Sequence, residues 1–178
     1  VRTLRRTDGL ASDSICSITG TRDGSVFLGG RGGGLTRIAR DGTIRRWGAA
    51  DGLRNETVHA LLPDRAGNLW IGTNGGGLFR FDGGRFTRFG REQGISIEIV
   101  NTIHEEEDGT LWVGTYGGGL NRFRDGFFSA VTTREGLYDD AVFSILPDGQ
   151  GNLWISCNRG IYAVSLRELD AVARGAAR

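Results

Sequence analysis

The sequence predicts an all-β chain assembled from one four-stranded unit used four times, and three observations carry that prediction. Trp70, Trp112 and Trp154 stand 42 residues apart, with Phe27 another 43 residues before Trp70. The segments around two of them are near-copies, Gly67-Asn-Leu-Trp-Ile-Gly-Thr-Asn-Gly-Gly-Gly-Leu78 and Gly109-Thr-Leu-Trp-Val-Gly-Thr-Tyr-Gly-Gly-Gly-Leu120. Within each copy, short apolar runs rich in β-branched residues alternate with Gly- and Asp-bearing turns. A fixed period of this size marks one supersecondary unit copied along the chain, and short runs bounded by turn residues read as strands.

Each copy opens on a Gly-Leu or Gly-Ile pair, at Gly9-Leu10, Gly52-Leu53, Gly94-Ile95 and Gly136-Leu137. Strand a follows, marked by Ile15, Val58, Val100 and Val142 and, three residues on, by Ile18, Leu61, Ile103 and Ile145. Apolar residues three apart on a strand point to opposite faces, so strand a is expected to be buried on both sides. A turn such as Asp64-Arg-Ala-Gly67-Asn68 or Asp108-Gly109 leads to strand b, over residues 69–73, 111–115, 153–156 and, more weakly, 26–29. The Gly-rich turn comes next, then strand c (Leu78-Phe-Arg-Phe81, with counterparts at Leu35 and Leu120). A second turn, Asp82-Gly83-Gly84 or Asp125-Gly126, leads to strand d over residues 44–47, 85–89 and 127–131. Four short antiparallel strands in about 42 residues describe one blade of a β-propeller. The expected blades are residues 9–47, 52–89, 94–131 and 136–164.

The ends carry further expectations. Val1 stands eight residues before Gly9, as Ile44, Phe86 and Phe128 stand before their next repeat Gly, so residues 1–6 read as a strand d of a preceding or closing blade. In the last copy Ser165-Leu-Arg-Glu168 is a capping box, followed by Leu169, Val172 and Ala173 at helical spacing and a Gly175 stop. A short helix over 165–175 therefore takes the place of strand d. Either the first strand seals a four-bladed ring or the chain is a segment of a larger one. Four blades is the low end for propellers, which favours the segment.

Composition excludes several classes. The net charge of +1, without a basic run, leaves no electrostatic footprint for nucleic acid. No apolar stretch approaches the ~20 residues needed to cross a bilayer as a helix, so direct membrane insertion is not expected. Thirty-one glycines against two prolines would suggest a linker, but these glycines are periodic and interleaved with large apolar residues, which a disordered segment lacks. Cys16 and Cys157 read as small buried thiols; whether they pair is open.

The unit Gly-Leu … Val-x-x-Ile … Asp-x-x-Gly-x-Leu-Trp-Ile-Gly-Thr … Gly-Gly-Leu-x-Arg-Phe resembles the two-component regulator propeller repeat. Copies two and three match it almost throughout. Copy one departs at Phe27-Leu-Gly-Gly30, and copy four departs at Ser156-Cys157 and is one residue short before Gly160. The resemblance implies the periplasmic sensor region of a bacterial inner-membrane signalling protein. Such a protein carries further blades and a histidine kinase or diguanylate cyclase, and several members respond to oligosaccharides. A homodimer is compatible with that arrangement.

The Gly-rich turns at 30–34, 73–77 and 115–119 are not phosphate cradles, because a strand and not a helix N-terminus follows them. The loops joining b to c and d to a emerge on one rim of such a blade, and equivalent residues differ most there. At the b–c tip the varying position holds Arg31, Asn74, Tyr116 and, in copy four, Asn158 with Arg159. Guanidinium, amide and aromatic groups together suit a polar ligand such as a sugar. In the d–a loop Asp13, Glu56, Glu98 and Asp140 share one repeat position, a set able to bind sugar hydroxyls or a hard cation, or to bond to its own turn backbone. No metal site, cofactor or catalytic residue is expected. His59 and His104 lie 45 residues apart without metal-ligand spacing, no nucleophile elbow is present, and Asp64 with Trp70 only partly imitates a sialidase Asp-box. The expected function is non-catalytic ligand sensing. The alternatives are a protein-binding scaffold propeller and a propeller lyase or glycosidase.

Overall fold

The computed structural model describes residues 3–175. It divides into two compact units, residues 1–88 and 89–178, each built around two consecutive antiparallel sheets. The first sheet contains β1 (Ile15–Gly20), β2 (Val26–Gly30), β3 (Leu35–Ile38) and β4 (Ile44–Trp47). The second contains β5 (Val58–Pro63), β6 (Leu69–Thr73), β7 (Leu78–Phe81) and β8 (Phe86–Phe89). In the second unit, β9 (Val100–Glu105), β10 (Leu111–Thr115), β11 (Leu120–Arg124) and β12 (Phe127–Val131) make the third sheet. The fourth has three strands, β13 (Ser144–Pro147), β14 (Asn152–Cys157) and β15 (Gly160–Ser165), before helix α1 (Leu166–Ala173). Strands pair in chain order within every sheet. This is the up-and-down blade of a β-propeller.

Local departures from the sequence reading have identifiable causes. Residues 3–5 carry no regular structure and Arg6–Asp8 form a 3-10 turn, where a strand over residues 1–6 is expected. Val1 and Arg2 lie outside the described residues. The Arg5 and Arg6 N–H groups donate to the Asp8 and Asp13 carboxylates at 2.8 and 2.7 Å, so those donors are spent on side chains. Val142, expected to open strand a of the fourth sheet, lies before β13 because its N–H bonds the Thr115 carbonyl of the neighbouring sheet at 2.9 Å. Arg85 stays in the turn before β8, its N–H held by Asp82 Oδ1 at 2.8 Å.

Burial of strand a is also uneven. Val58 and Val100 are fully buried, but Ile18 on β1 and Leu146 on β13 are each 67% exposed. Trp70 and Trp112 are buried while Trp154 is 44% exposed. Cys16 is exposed, contrary to expectation, and Cys157 is buried; both are free thiols.

Within each unit the sheets meet face to face over an apolar core. In the first unit Phe27, Trp47, Val58, Ile71, Phe79 and Phe81 belong to one buried cluster. Trp47 meets Phe81 edge-on at 5.0 Å between ring centroids. In the second unit Trp112, Leu120, Val142, Leu153 and Ile155 form the corresponding cluster, closed by Leu169 of α1. Arg122 on β11 anchors α1 through a 2.7 Å ion pair with Asp170. The glycine of the repeated strand b explains how the sheets approach. A Cβ on Gly29 would overlap the side chain of Val58, and one on Gly114 would overlap Val142 and Thr102. A valine at the start of strand a (Val58) or just before it (Val142) therefore seats on the bare backbone of the blade before it.

The connection from strand d to strand a is built the same way four times. A 3-10 turn (Arg6–Asp8, Ala49–Asp51, Arg91–Gln93, Thr133–Glu135) ends on Gly9, Gly52, Gly94 or Gly136, all left-handed with φ between 91° and 106°. Glycine is required there because other residues strain at such φ. The next residue, Leu10, Leu53, Ile95 or Leu137, is buried and pins the loop to the core. The fourfold carboxylate pattern closes the device. Asp13, Glu56, Glu98 and Asp140 each reach back seven residues and accept the N–H of the turn's first residue, at 2.7, 3.0, 3.1 and 2.7 Å.

Two predictions follow from these contacts. Gly114→Ala is expected to destabilise the chain by about 1–3 kcal/mol through overpacking, whereas Gly20→Ala, whose added Cβ meets nothing within 4 Å, should stay within about 0.5 kcal/mol of wild type. Urea unfolding of both variants makes the comparison. Asp140→Ala removes the bonds from the Thr133 N–H and hydroxyl and is expected to cost about 1–2 kcal/mol. Asp140→Asn retains an acceptor and should lose less; thermal unfolding of the pair reads the difference.

Candidate functional site

The b–c tips are held by backbone and leave their side chains outward. The N–H groups of Arg31, Asn74 and Tyr116 donate to the carbonyls of Ser14, Thr57 and Ile99 at 2.9, 3.0 and 3.0 Å. These acceptors occupy one repeat position in the d–a loop entering the same blade. Behind each tip, Thr73 and Thr115 are fully buried, and their hydroxyls donate to the carbonyls of Gly77 and Gly119 at 2.9 Å. Copy one has Gly30 in place of that threonine because a Cβ there would press on the Ser14 carbonyl. Ser12 supplies a hydroxyl instead, donating to the Arg31 carbonyl at 3.1 Å. In copy four Cys157 takes the position, and its Sγ accepts the Arg159 N–H at 3.3 Å. Backbone geometry is thus conserved through changes of chemistry, and the side chains of Arg31, Asn74, Tyr116, Asn158 and Arg159 remain exposed.

The d–a carboxylates are engaged with their own turns, as the preceding hydrogen bonds establish. Asp140 is the most committed, with Oδ1 accepting from the Thr133 N–H and Oδ2 from its hydroxyl at 3.0 Å. Their main chains also clamp the neighbouring blade. The Glu56 carbonyl accepts the Gly34 N–H at 2.9 Å, and the Asp140 carbonyl accepts the Gly117 and Gly119 N–H groups at 3.0 and 2.8 Å. One residue therefore fixes its own 3-10 turn by its side chain and the adjoining tip by its carbonyl. The chemistry of this position in the structure is positioning.

In the second unit the rim gathers aromatic groups around the predicted Tyr116 and Arg159. Tyr116 is 51% exposed and stands 6.0 Å from Phe143, itself 39% exposed. Tyr138, 46% exposed, carries the Arg159 guanidinium over its ring at 4.4 Å, and Arg159 Nη1 donates to the Tyr138 carbonyl at 3.4 Å. A guanidinium on an aromatic face is held in orientation by the ring quadrupole. Tyr162 stands 5.5 Å from Tyr138, and its buried hydroxyl has no hydrogen-bond partner among the described residues. Burial foremost, then the nearby charges of Cys157, Asp139 and Asp140, push that hydroxyl above the ordinary tyrosine range. Tyr138 and Phe143 were not singled out from sequence, yet a signal existed. Tyr138 replaces Ala11, Arg54 and Ser96 at its repeat position, and Phe143 replaces Cys16, His59 and Asn101.

The residues considered for catalysis are placed differently. Asp64 accepts the Asn68 N–H and side-chain amide and the Trp70 indole N–H at 2.7, 2.8 and 2.9 Å, a turn-stabilising role. His104 Nε2 stands 3.0 Å from Glu106 Oε1. Among the described residues no group of three or more His, Cys, Asp or Glu side chains is placed to hold a metal ion, and no helix is long and apolar enough to cross a membrane.

Comparison with known proteins sets this geometry in context. The family model described as "Two component regulator propeller" matches residues 52–75, 94–117 and 139–159. No match is found among curated proteins. Among solved structures, the chain is similar to the extracellular domain of BT3049 from B. thetaiotaomicron, described as a hybrid two component system, with 17% identity and a TM-score of 0.85 over 98% of this chain and 24% of that one. The extracellular domain of BT4673 from the same organism follows at 21% identity and a TM-score of 0.73, over 93% and 26%. Virginiamycin B lyase from Staphylococcus aureus shares the fold at 17% identity and a TM-score of 0.63, over 85% and 55%. The chain thus spans about a quarter of the length of the two extracellular domains. With three segments matched in register, the chain is similar over those segments to the two-component regulator propeller family, and its sheets have the β-propeller fold.

Proposed function

We propose that the chain is a non-catalytic, ligand-sensing propeller segment of an extracytoplasmic bacterial receptor, and that its b–c/d–a rim binds a polar, ring-bearing ligand such as an oligosaccharide. The observation that carries this reading is two exposed pairs with aromatic faces on one rim of the second unit, Tyr116 with Phe143 and Tyr138 with Arg159. Flat aromatic faces bind the apolar faces of sugar rings, while a guanidinium and amides take their hydroxyls. The likeness to extracellular domains of proteins described as two component systems supports the compartment and the signalling role.

Roles divide within the site. Tyr116, Tyr138, Arg159 and Asn158 form the contact surface in the second unit, and Arg31 and Asn74 offer the equivalent tips in the first. Asp13, Glu56, Glu98 and Asp140 hold the tips and loops in place. In the whole receptor, occupancy of the rim biases the packing of blades or of a dimer and passes to a kinase or cyclase domain, with the ligand's differential affinity for the two arrangements as the driving term.

Isothermal titration of the chain against an oligosaccharide panel tests the reading. Tyr116→Ala and Tyr138→Ala are expected each to weaken binding about tenfold or more, the loss of one stacking face, with unfolding midpoints near wild type because both side chains are exposed. Binding unchanged in both variants, or absent across the panel, would refute it.

A further inference from the structure

The first unit has a concavity on the rim formed by its a–b and c–d turns, away from the tips carrying Arg31 and Asn74. It is a groove of about 570 Å3 between the first two sheets, within the size range of small-molecule sites. Phe27, Trp47, Leu69 and Phe81 contribute its apolar surface. Three of them are aromatic and mutually packed, with Phe27–Trp47 and Trp47–Phe81 centroids 6.4 and 5.0 Å apart. Only the edges of these residues, 3–8% of each, reach the groove, their faces being packed in the core.

The charge around that surface has one dominant sign. Arg22, Arg37, Arg45 and Arg65 line the groove, against Asp23 and Asp64, in a chain whose total charge is only +1. Both carboxylates are occupied by the protein itself. Asp64 accepts from Asn68 and Trp70. Asp23 accepts from the Thr21 and Ser25 hydroxyls at 2.5 and 3.0 Å and from the Ser25 N–H at 3.0 Å. Arg37 completes that network, pairing with Asp23 at 2.8 Å and donating to Ser25 Oγ at 2.9 Å. The Thr21 hydroxyl first, then the Ser25 groups and Arg37, hold the Asp23 carboxyl well below the usual carboxylate range, so the network persists in mildly acidic solution. Arg45 is placed otherwise: its guanidinium lies 4.8 Å over the Trp47 ring, at the edge of the aromatic surface. Arg22 stands exposed on the a–b turn of the first sheet.

We infer that this groove is a binding site for a small anionic ligand bearing an aromatic or other flat apolar ring. The ring lies in the groove against the edges of Phe27, Trp47 and Phe81, and the acidic group meets Arg45 and Arg22. Charge complementarity selects the anion, because the carboxylates that would repel it are already bonded to fixed donors. The volume selects a small molecule. This site is separate from the oligosaccharide rim proposed above in position, residues and ligand charge, and each stands if the other fails.

The test uses the full 178-residue chain and two probes of one shape, 1-naphthoate and neutral 1-naphthalenemethanol, titrated with NMR detection. Naphthoate is expected to saturate a site marked by shifts of the Trp47 indole and the Gly67 and Gly83 amides, about tenfold tighter than the alcohol, with the gap narrowing as salt rises. R22Q/R45Q, which alters two exposed side chains, should bring naphthoate down to the affinity of the alcohol while leaving unbound spectra elsewhere unchanged. Equal affinity of the two probes, shifts mapping outside the groove, absence of saturable naphthoate binding, or undiminished binding by R22Q/R45Q would each overturn the proposal.

Discussion

The rest of this structure depends on the seating of a valine from one blade on a glycine of the blade before it. Val58 lies against Gly29 and Val142 against Gly114, so closely that even a methyl group on either glycine would overlap its neighbour. That approach closes the apolar core of each unit, with Val58 and Val142 both fully buried. It also fixes the height at which strand a begins relative to the preceding blade. The Val142 N–H consequently bonds Thr115 across the sheets and is lost to its own ladder. Packing of this closeness tolerates little change in volume at either contact.

From that contact the loops inherit their geometry. A 3-10 turn ends on a left-handed glycine, a buried Leu or Ile anchors it, and a carboxylate seven residues on closes it. The same acidic residue clamps the adjoining tip through its carbonyl, in Glu56 to Gly34 and in Asp140 to Gly119. The tip side chain is thereby released from any structural duty. Arg31, Asn74 and Tyr116 share one backbone hydrogen bond and nothing of their chemistry, the condition under which a rim can vary its recognition without disturbing its scaffold. The two candidate sites use the repeat differently. The platform around Tyr138 arises where copy four departs from the pattern, and the arginine-lined groove where copy one does.

Much of the strand layout was legible because period, turn residues and β-branched runs are local signals. The strands at Leu69–Thr73, Leu78–Phe81 and Phe127–Val131 coincide with the ranges read from sequence. The 3-10 turns were not legible, since their stabilisation comes from side chains seven residues away and from a buried leucine. The exposure of Trp154 against burial of Trp112 was likewise hidden. A residue type announces its preference for burial but not whether its sheet face has a neighbour. For the candidate site, variation among copies singles out Tyr116 and Arg159, and the structure sets Phe143 and Tyr138 beside them, two residues that also break the repeat.

By itself, then, the sequence determined that the chain is a repeat of four β-units and where most strands run. These follow from hydrogen-bonding period and backbone sterics, which act over a few residues. Only the tertiary structure decided what the invariant carboxylates do, which aromatic groups share a surface, and where arginines concentrate over an apolar floor. Those are questions of which groups from distant segments come within hydrogen-bond or van der Waals reach. A repeat gives every copy the same strand plan; the packing of one copy on the next makes them unequal in environment.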